Sequence, residues 1–440
     1  MIPGTSATIA AIATGPAAGG IGIVRLSGPG ALAAARAVTR GLPEAPAPRH
    51  AYVARFVDAA GRVLDEGLAL YFAGPKSFTG EDVVELHAHG APRLLELLLA
   101  EVLRCEGVRL ATAGEFTRRA FLSGRLALTQ AEAVADLIAA TSEAQVRAAA
   151  AQLSGALSER LEVLKAPLLA LHADLEGALD FPDEAEGAEA DAAARLGPLV
   201  ANARSLARDA RHGALVRRGA KVVLFGPVNA GKSTLFNALV GAARALVDPE
   251  PGTTRDALEA RVEWAGLAVT LVDTAGLREG AGRLEAKGIE RTRDALAGCD
   301  VAVLVLPPEF NDAERAAWSG EVEAAKLLVV RGKADLGGAG GELSVSGQSG
   351  AGLEALREKL VERLGGEVGA SVVSTSERHS SGLARVVEHL ERAELAAKSA
   401  TLEVVAGELA LALDGLAELT GADARTELLD AIFARFCIGK

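Results

Sequence analysis

One run constrains this chain more than any other: Gly226-Pro-Val-Asn-Ala-Gly-Lys-Ser233, the pattern G-x-x-x-x-G-K-S. The apolar Val222-Val-Leu-Phe225 before it reads as a buried strand, and Thr234-Leu-Phe-Asn-Ala-Leu-Val240 after it reads as the first turns of a helix. Strand, glycine-rich turn and helix start together make a phosphate cradle. The glycines let backbone N–H groups close around an anion, and the helix N-terminus adds a favourable dipole. In that context Lys232 reaches the β- and γ-phosphates and Ser233 binds Mg²⁺. A chance glycine-rich turn has no reason to carry both flanks.

Around this loop the chain separates into regions. Residues 1–117 mix strand-like runs, such as Ile21-Gly-Ile-Val-Arg25 and Gly67-Leu-Ala-Leu-Tyr-Phe72, with a helical Leu94-Leu-Glu-Leu-Leu-Leu99. This predicts a small α+β domain. Residues 118–218 carry alanine, leucine and arginine at helical spacing, and the acidic stretch 187–194 reads as a loop between helices. Strands and helices then alternate over 219–373, which predicts a mostly parallel sheet with helices on both faces. Residues 374–440 turn helical again and are too few for a separate core. The expected architecture is therefore multidomain α+β and α/β. An N-terminal α+β domain precedes a split helical domain, into which a Ras-like P-loop domain is inserted.

Composition narrows the class. The 440 residues are 50% hydrophobic and 24% charged, with a net charge of −12. A passive nucleic-acid binder is usually basic, so any such contact must use local patches. Arg204, Arg208 and Arg211 recur on one helical face, with Arg217 and Arg218 following; a solvated face is the preferred reading of such an array. No apolar run is long enough to read as a membrane helix. Cys105, Cys299 and Cys437 make no metal spacing and suggest reduced thiols in a cytoplasmic protein.

Downstream motifs select the nucleotide. A threonine in Gly252-Thr-Thr-Arg-Asp256 can complete the Mg²⁺ shell and sense the γ-phosphate. Val272-Asp-Thr-Ala-Gly276 supplies Asp273 as a carboxylate behind the Mg²⁺ and the Gly276 N–H for the γ-phosphate. In Val330-Arg-Gly-Lys-Ala-Asp335 the carboxylate can accept two hydrogen bonds from a guanine edge, and Ser346-Gly-Gln348 follows where the base needs support. These resemble the GTP-binding motifs of the translation-associated GTPases, with two departures. Gly332 stands where the base-reading motif usually has asparagine. That removes a contact to the base and a tether between loops, so weaker guanine affinity is expected. Leu277 stands where many GTPases carry a glutamine that positions water, so hydrolysis needs another organiser.

Taken at full length, the chain resembles the MnmE (TrmE) family of tRNA-modification GTPases. The resemblance rests on the asparagine in the phosphate loop, Gly-Thr-Thr-Arg-Asp, Asp-Thr-Ala-Gly-Leu-Arg and the C-terminal Phe436-Cys-Ile-Gly-Lys440. It also rests on Gly20-Ile-Gly-Ile-Val-Arg25, Phe78-Thr-Gly-Glu-Asp-Val-Val-Glu85, Gly114-Glu-Phe-Thr-Arg-Arg-Ala-Phe121 and Asp180-Phe-Pro-Asp-Glu184. It implies a folate-binding N-terminal domain, a homodimer formed through it, and K⁺-dependent GTP hydrolysis coupled to G-domain dimerisation. With a flavin-dependent partner (MnmG, or GidA) the family forms a heterotetramer. That complex installs an aminomethyl-type group, such as carboxymethylaminomethyl, on C5 of the wobble uridine of certain tRNAs. The one-carbon donor is a 5-formyl- or 5,10-methylene-tetrahydrofolate.

Residue by residue, the resemblance implies that Asn229 ligates K⁺ with groups at Asp248, Glu250 and Thr253, and that Ser233 and Thr254 hold Mg²⁺. Glu285 positions the attacking water, which meets the need raised by Leu277. The GTP contacts run through Asn229, Ala230, Gly231, Lys232, Ser233 and Thr234, then Asp248, Pro249, Glu250, Pro251, Gly252, Thr253 and Thr254. They continue through Asp273, Thr274, Ala275 and Gly276, then Gly332, Lys333, Ala334 and Asp335, and finally Ser346, Gly347 and Gln348. Catalysis falls to Glu285, Asn229 and Lys232. Folate falls to Arg25, Glu85, Arg125 and Lys440, with Arg125 where a lysine is usual. Cys437 is then a functional thiol. A prenylation box is the other reading, but Gly439 is not aliphatic and Lys440 is a poor last residue. A ribosome-associated GTPase switch remains the alternative, since the same phosphate-loop motifs would serve it.

Overall fold

The computed structural model describes residues 7–181, 188–242, 244–245, 259–274, 292–310, 312–337, 343–366, 375–399, 401–421 and 426–440. The chain divides into two compact units. The first comprises Met1–Ala135, Leu153–Ala192 and Leu395–Lys440, and the second Asp136–Gln152 and Ala193–Glu394.

The first unit holds a seven-stranded sheet in the order β3-β4-β5-β6-β2-β1-β7. Its strands are β1 (Thr8–Ile12), β2 (Gly19–Ser27), β3 (Thr39–Arg40), β4 (Ala51–Val57), β5 (Val63–Phe72), β6 (Val83–Gly90) and β7 (Val108–Leu110). Period-two alternation sorts the faces. Val24 and Leu26 on β2, with Val84, Leu86 and Ala88 on β6, are buried beneath helices α1 (Ala31–Ala37) and α2 (Pro92–Leu103). Arg25, Glu85 and His87 fall on the opposite face, because they are the odd members of the same strands.

The helical part of this unit is discontinuous in sequence. It comprises α3 (Glu115–Leu122), most of α4 (Leu128–Ala139), α6 (Ala156–Asp180), α12 (Leu402–Thr420) and α13 (Thr426–Phe433). Leu157, Leu161, Leu164, Leu168, Leu171 and Leu175 are the buried residues of α6. Their alternating four- and three-residue spacing is the heptad seam that packs one helix on another. Val405, Leu409, Ala412, Leu416 and Leu419 repeat the spacing on α12, and the two helices pack together. Leu128 and Ala131 of α4 join Leu429 and Phe433 of α13 in a second apolar cluster that includes Phe436.

The second unit is built on β8 (Ala220–Phe225), β9 (Arg244–Ala245), β10 (Glu259–Trp264), β11 (Leu267–Asp273), β12 (Val301–Leu306), β13 (Leu327–Arg331) and β14 (Leu343–Ser344). Their order is β14-β13-β12-β8-β11-β10-β9. From β14 to β11 all pairs are parallel. The edge formed by β10 and β9 is antiparallel, a hairpin extension that strand–helix alternation alone does not foresee. Successive residues of the central strands enter opposite cores. Val222, Leu224, Val303 and Val305 join one cluster, and Val223, Phe225, Ala302 and Leu304 the other. This double burial is why these strands read as unbroken apolar runs. Helices α8 (Lys232–Gly241), α9 (Asp312–Ser319), α10 (Leu353–Arg363) and most of α11 (Glu377–Ser399) belong to the unit, as do α5 (Glu143–Leu153) through Gln152 and α7 (Ala188–Arg218) from Ala193 onward.

The acidic stretch 187–194 is not a loop beyond 187, because α7 begins at Ala188. Alanine has the best intrinsic helix propensity, and acidic residues favour a helix N-terminus, so composition that suggests a polar interruption here continues a helix. Arg204, Arg208 and Arg211 lie exposed on α7, and Arg204 donates to Glu391 at 2.8 Å. Arg217 pairs with Asp136 at 2.6 Å and Arg218 pairs with Asp300. Asp300 also accepts the Lys221 backbone N–H at 2.8 Å, so Arg218 serves the start of β8.

Candidate functional site

The phosphate loop leaves β8 at Gly226, whose φ of +133° belongs to glycine, and Gly231 caps α8 at φ +94°. Asn229 takes a left-handed φ of +62°, which asparagine tolerates better than most residues. Lys232 is buried in the first turn of α8, and its Nζ donates to the carbonyls of Gly226 at 3.1 Å and Pro227 at 2.7 Å. The ammonium thus lies on the inner edge of the loop, where it can meet phosphate oxygens. Ser233 and Thr234 are exposed beside it, at the positive end of the helix. Parallel pairing of β8 with β11 sets Asp273 opposite Leu224, two residues before the loop. Asp273 is buried, and Thr274 donates its Oγ1 to the Leu224 carbonyl at 3.0 Å. A hydroxyl and a buried carboxylate flanking a helix N-terminus suit Mg²⁺, a hard oxygen-seeking cation.

The base side of the site is a cavity of about 280 Å³ lined by Gly231, Thr234, Gly332, Lys333, Asp335, Ser346, Gly347 and Gln348, with apolar Leu235, Val305, Leu336 and Val345. Lys333 holds a left-handed φ of +56° and Ala334 donates to the Val345 carbonyl at 3.1 Å, which turns Asp335 toward the Ser346 loop. Ser346 Oγ donates to Asp335 and accepts the backbone N–H groups of Gln348 and Ser349, each at 3.2 Å. The carboxylate is therefore held by a buried hydroxyl while a lone pair set remains for a base edge. Of the expected nucleotide residues, this brings together those from Asn229 to Thr234, Asp273, Thr274, Gly332 to Asp335 and Ser346 to Gln348. Asp248, Pro249, Glu250, Pro251, Gly252, Thr253, Thr254, Ala275, Gly276, Leu277 and Glu285 lie outside the described residues.

A second polar site lies in the first unit. Arg25 and Glu85 are register partners across β2 and β6, and Arg25 Nε donates to Glu85 Oε1 at 2.9 Å. The other oxygen, Oε2, meets His87 Nε2 at 3.0 Å. Burial alone would raise the Glu85 carboxyl, but the His87 hydrogen bond and the Arg25 charge outweigh it and hold it below its ordinary value. Phe78 and Phe116 place their rings 5.9 and 5.8 Å from the Arg25 guanidinium, within cation–π range.

The C-terminal tail closes this site. Phe436 is buried with Phe433, Ile438 bridges to Ala113, and the Phe116 N–H donates to the Lys440 carbonyl at 3.2 Å. Gly439 adopts φ +99°, and a Cβ there would stand 2.2 Å from the Ile12 carbonyl oxygen. Lys440 is thereby brought into the field of Arg25, Glu85 and Cys437. Burial and the Arg25 charge lower its ammonium pKa, partly offset by Glu85 and Cys437. Cys437 is an exposed free thiol. Arg125 is exposed and donates its Nε to the Ser77 carbonyl at 3.1 Å, one residue from Phe78. The start of α3 beneath the tail is pinned by an ion-pair network around the buried Arg119 and Glu115. Arg119 binds Glu81 at 2.8 Å and Glu115 at 2.9 Å, and Arg109 also binds Glu115. Burial would raise the Glu115 carboxyl, but Arg109, the Thr112 N–H and Arg119 hold it at about 2.

Sequence reasoning misses His87, whose only signal is its position two residues after Glu85 on one strand face. It also misses Phe78 and Phe116 as partners of Arg25, which only the folded sheet brings together.

Among the described residues no helix is long and apolar enough to cross a membrane. A family model described as the MnmE helical domain matches residues 128–437, and one described as the GTP-binding protein TrmE N-terminus matches residues 8–125. The tRNA modification GTPase MnmE of Myxococcus xanthus is 62% identical over 99% of this chain and 99% of its own length. That of Thiobacillus denitrificans is 43% identical over 98% of each. The solved G domain of the T. maritima FeoB iron transporter is 27% identical over 33% of this chain and 98% of its own, with a TM-score of 0.25. The fold assigned to the second unit rests on strand order and loop geometry rather than on that likeness. The family models together cover most of both units and the relatives match over nearly the whole length: this chain belongs to the tRNA modification GTPase MnmE family.

Proposed function

We propose that this GTPase serves the modification of C5 of the wobble uridine in certain tRNAs, adding an aminomethyl-type or carboxymethylaminomethyl group. The one-carbon unit comes from a 5-formyl- or 5,10-methylene-tetrahydrofolate. A flavin-dependent partner of the MnmG (GidA) kind joins a cytoplasmic homodimer of this chain as a heterotetramer. The working parts are an N-terminal folate domain (1–117), a helical domain split between 118–218 and 374–440, and a G domain (219–373).

The observation that supports this reading over a bare nucleotide switch is the tail. Lys440 shares its electrostatic surroundings with Arg25 and Glu85, two residues paired at 2.9 Å on the sheet. Two cations and one carboxylate fit a folate: the cations suit its glutamate carboxylates, and Glu85 can accept from the pterin N–H groups. Arg125 stands at the rim of the same aromatic loop. Cys437 offers a thiol beside Lys440.

In the G domain, Lys232 and the loop N–H groups hold the phosphates, and Ser233 with Thr254 would hold Mg²⁺. Asn229, with groups at Asp248, Glu250 and Thr253, would hold K⁺. A cation there offsets charge developing on the leaving phosphate, the job of an arginine finger elsewhere. Glu285 orients the attacking water, since Leu277 cannot. The donor chemistry fits: Asn229 presents an exposed amide at the turn of the loop.

The test has two arms. Folate binding is measured by equilibrium dialysis on the full chain and on the chain lacking Lys440, and GTPase rate is measured in K⁺ and in Na⁺. Loss of folate binding without Lys440, and a rate strongly higher in K⁺, are expected. Equal rates in both salts, or no folate binding together with ribosome co-sedimentation, would favour the ribosome-associated switch instead.

A further inference from the structure

The wall that reads the base is closed on the phosphate loop by backbone against backbone. A Cβ at Gly332 would stand 2.4 Å from the Ala230 carbonyl oxygen and 3.1 Å from Val305 Cγ1. At Gly347 a Cβ would meet the backbone of Thr234 at 2.6 Å and of Leu235 at 2.7 Å. Neither glycine has a left-handed φ, so space rather than torsion excludes a side chain at both.

Neither side of the Gly332 contact is free to retreat. The Gly332 N–H donates to the Leu306 carbonyl at 2.8 Å, at the end of β12. On the other side of the turn, the Val345 N–H donates to the Arg331 carbonyl at 2.8 Å. Ala230 is fully buried and sits one residue before the glycine that caps α8. A side-chain Cβ essentially never comes within 3.0 Å of a backbone oxygen, so a methyl group at 332 would displace either Asp335's loop or the phosphate loop by about 0.6 Å.

We propose that Gly332 is the positioning residue that locks the base-reading loop directly onto the phosphate loop. It holds Asp335 and Lys232 at one separation, matched to a guanine base and its own phosphates. Direct packing on Ala230 takes the place of a side-chain tether, so the absent asparagine is not a defect to be repaired. Asparagine at this position weakens the site rather than strengthening it.

The experiment compares Gly332→Ala and Gly332→Asn with the unaltered chain. Gly241→Ala serves as the control, because a Cβ at Gly241 meets nothing within 4 Å. KM and kcat are measured with GTP and with inosine triphosphate, and a melting curve is recorded for each protein. Inosine lacks the exocyclic amine, so it forfeits one of the two hydrogen bonds that a well-placed Asp335 accepts. The expected result is a GTP KM raised on the order of tenfold in Gly332→Ala and further in Gly332→Asn, with a smaller change in kcat. The preference for GTP over inosine triphosphate falls toward one in both, and Gly241→Ala is unchanged. If Gly332→Asn binds GTP as tightly as the unaltered chain, or if both nucleotides weaken by the same factor, the proposal is wrong. Should Gly332→Asn fail to melt cooperatively, Gly332→Ala decides on the same two readings, since its methyl group meets the same oxygen.

Discussion

Arg25 and Glu85 face each other in register across β2 and β6, and their side chains meet at 2.9 Å. Both are largely buried, with side-chain exposures of 19% and 15%, so neither loses its partner without consequence. Glu85→Gln leaves the Arg25 charge without its counter-ion and withdraws the carboxylate from any ligand. We predict that this variant loses folate affinity by at least about tenfold while its GTP turnover stays within about twofold, since a charge-assisted hydrogen bond contributes roughly 1.5–3 kcal/mol. Isothermal titration with folate, beside a phosphate-release assay, checks it.

Gly439 carries the tail past Ile12 with a left-handed φ that no other residue adopts cheaply. Gly439→Ala is expected to release Lys440 from Arg25 and Glu85 and so reproduce the folate defect of removing Lys440. GTP hydrolysis should persist. Equilibrium dialysis on both variants decides; normal folate binding by Gly439→Ala would show that the tail contact is dispensable.

Asp335 is held by Ser346 and faces the base cavity. Asp335→Asn exchanges an acceptor pair for an amide that can donate. We predict a GTP KM raised roughly 100-fold and a gain of xanthosine triphosphate hydrolysis, because a site built to pair one edge rejects the edge that leaves its groups unpaired. Competition between the two nucleotides measures the switch.

Glu115, held at about 2 by Arg109 and Arg119, ties folding to pH. Its folded value lies below its unfolded value of 4.5, so its contribution is complete above pH 5 and fades as pH falls toward 2. Glu115→Gln should cost about 3 kcal/mol at neutral pH, since it leaves the buried Arg119 underpaired. It should also flatten the acid limb of a stability profile. Urea titrations at several pH values show both effects or neither.

Leu168 lies at the middle of the α6 seam and is fully buried. Leu168→Ala is expected to destabilise the first unit by about 3 kcal/mol through lost transfer energy and the cavity left behind. Chemical denaturation followed by circular dichroism gives the value.

Much of the G domain is legible from the chain because its chemistry is local. A phosphate loop needs its glycines, lysine and serine within one turn, so Gly226 to Ser233 declare it without tertiary information. The strands beside it are buried on both faces, and so appear as apolar runs such as 301–306. The α6 seam is equally plain in its four- and three-residue spacing. Where the reading fails, composition and structure pull apart. Residues 188–194 are acidic and alanine-rich, which suggests a loop, yet alanine propensity wins and α7 begins there.

What the amino-acid sequence determines here is the set of local devices: the phosphate loop, the helical seams, the alternation that gives each strand its two faces, and the motifs that mark the family. Only tertiary structure decides what meets what. Lys440 ends the chain 415 residues after Arg25, and no periodicity links them; the apolar seat of Phe436 and the left-handed turn at Gly439 bring them together. The same holds for Gly332. As a letter it reads as a missing asparagine, and in space it is the one residue small enough to let Ala230 approach. Close packing is a property of two backbones at once, and a one-dimensional pattern records only one of them.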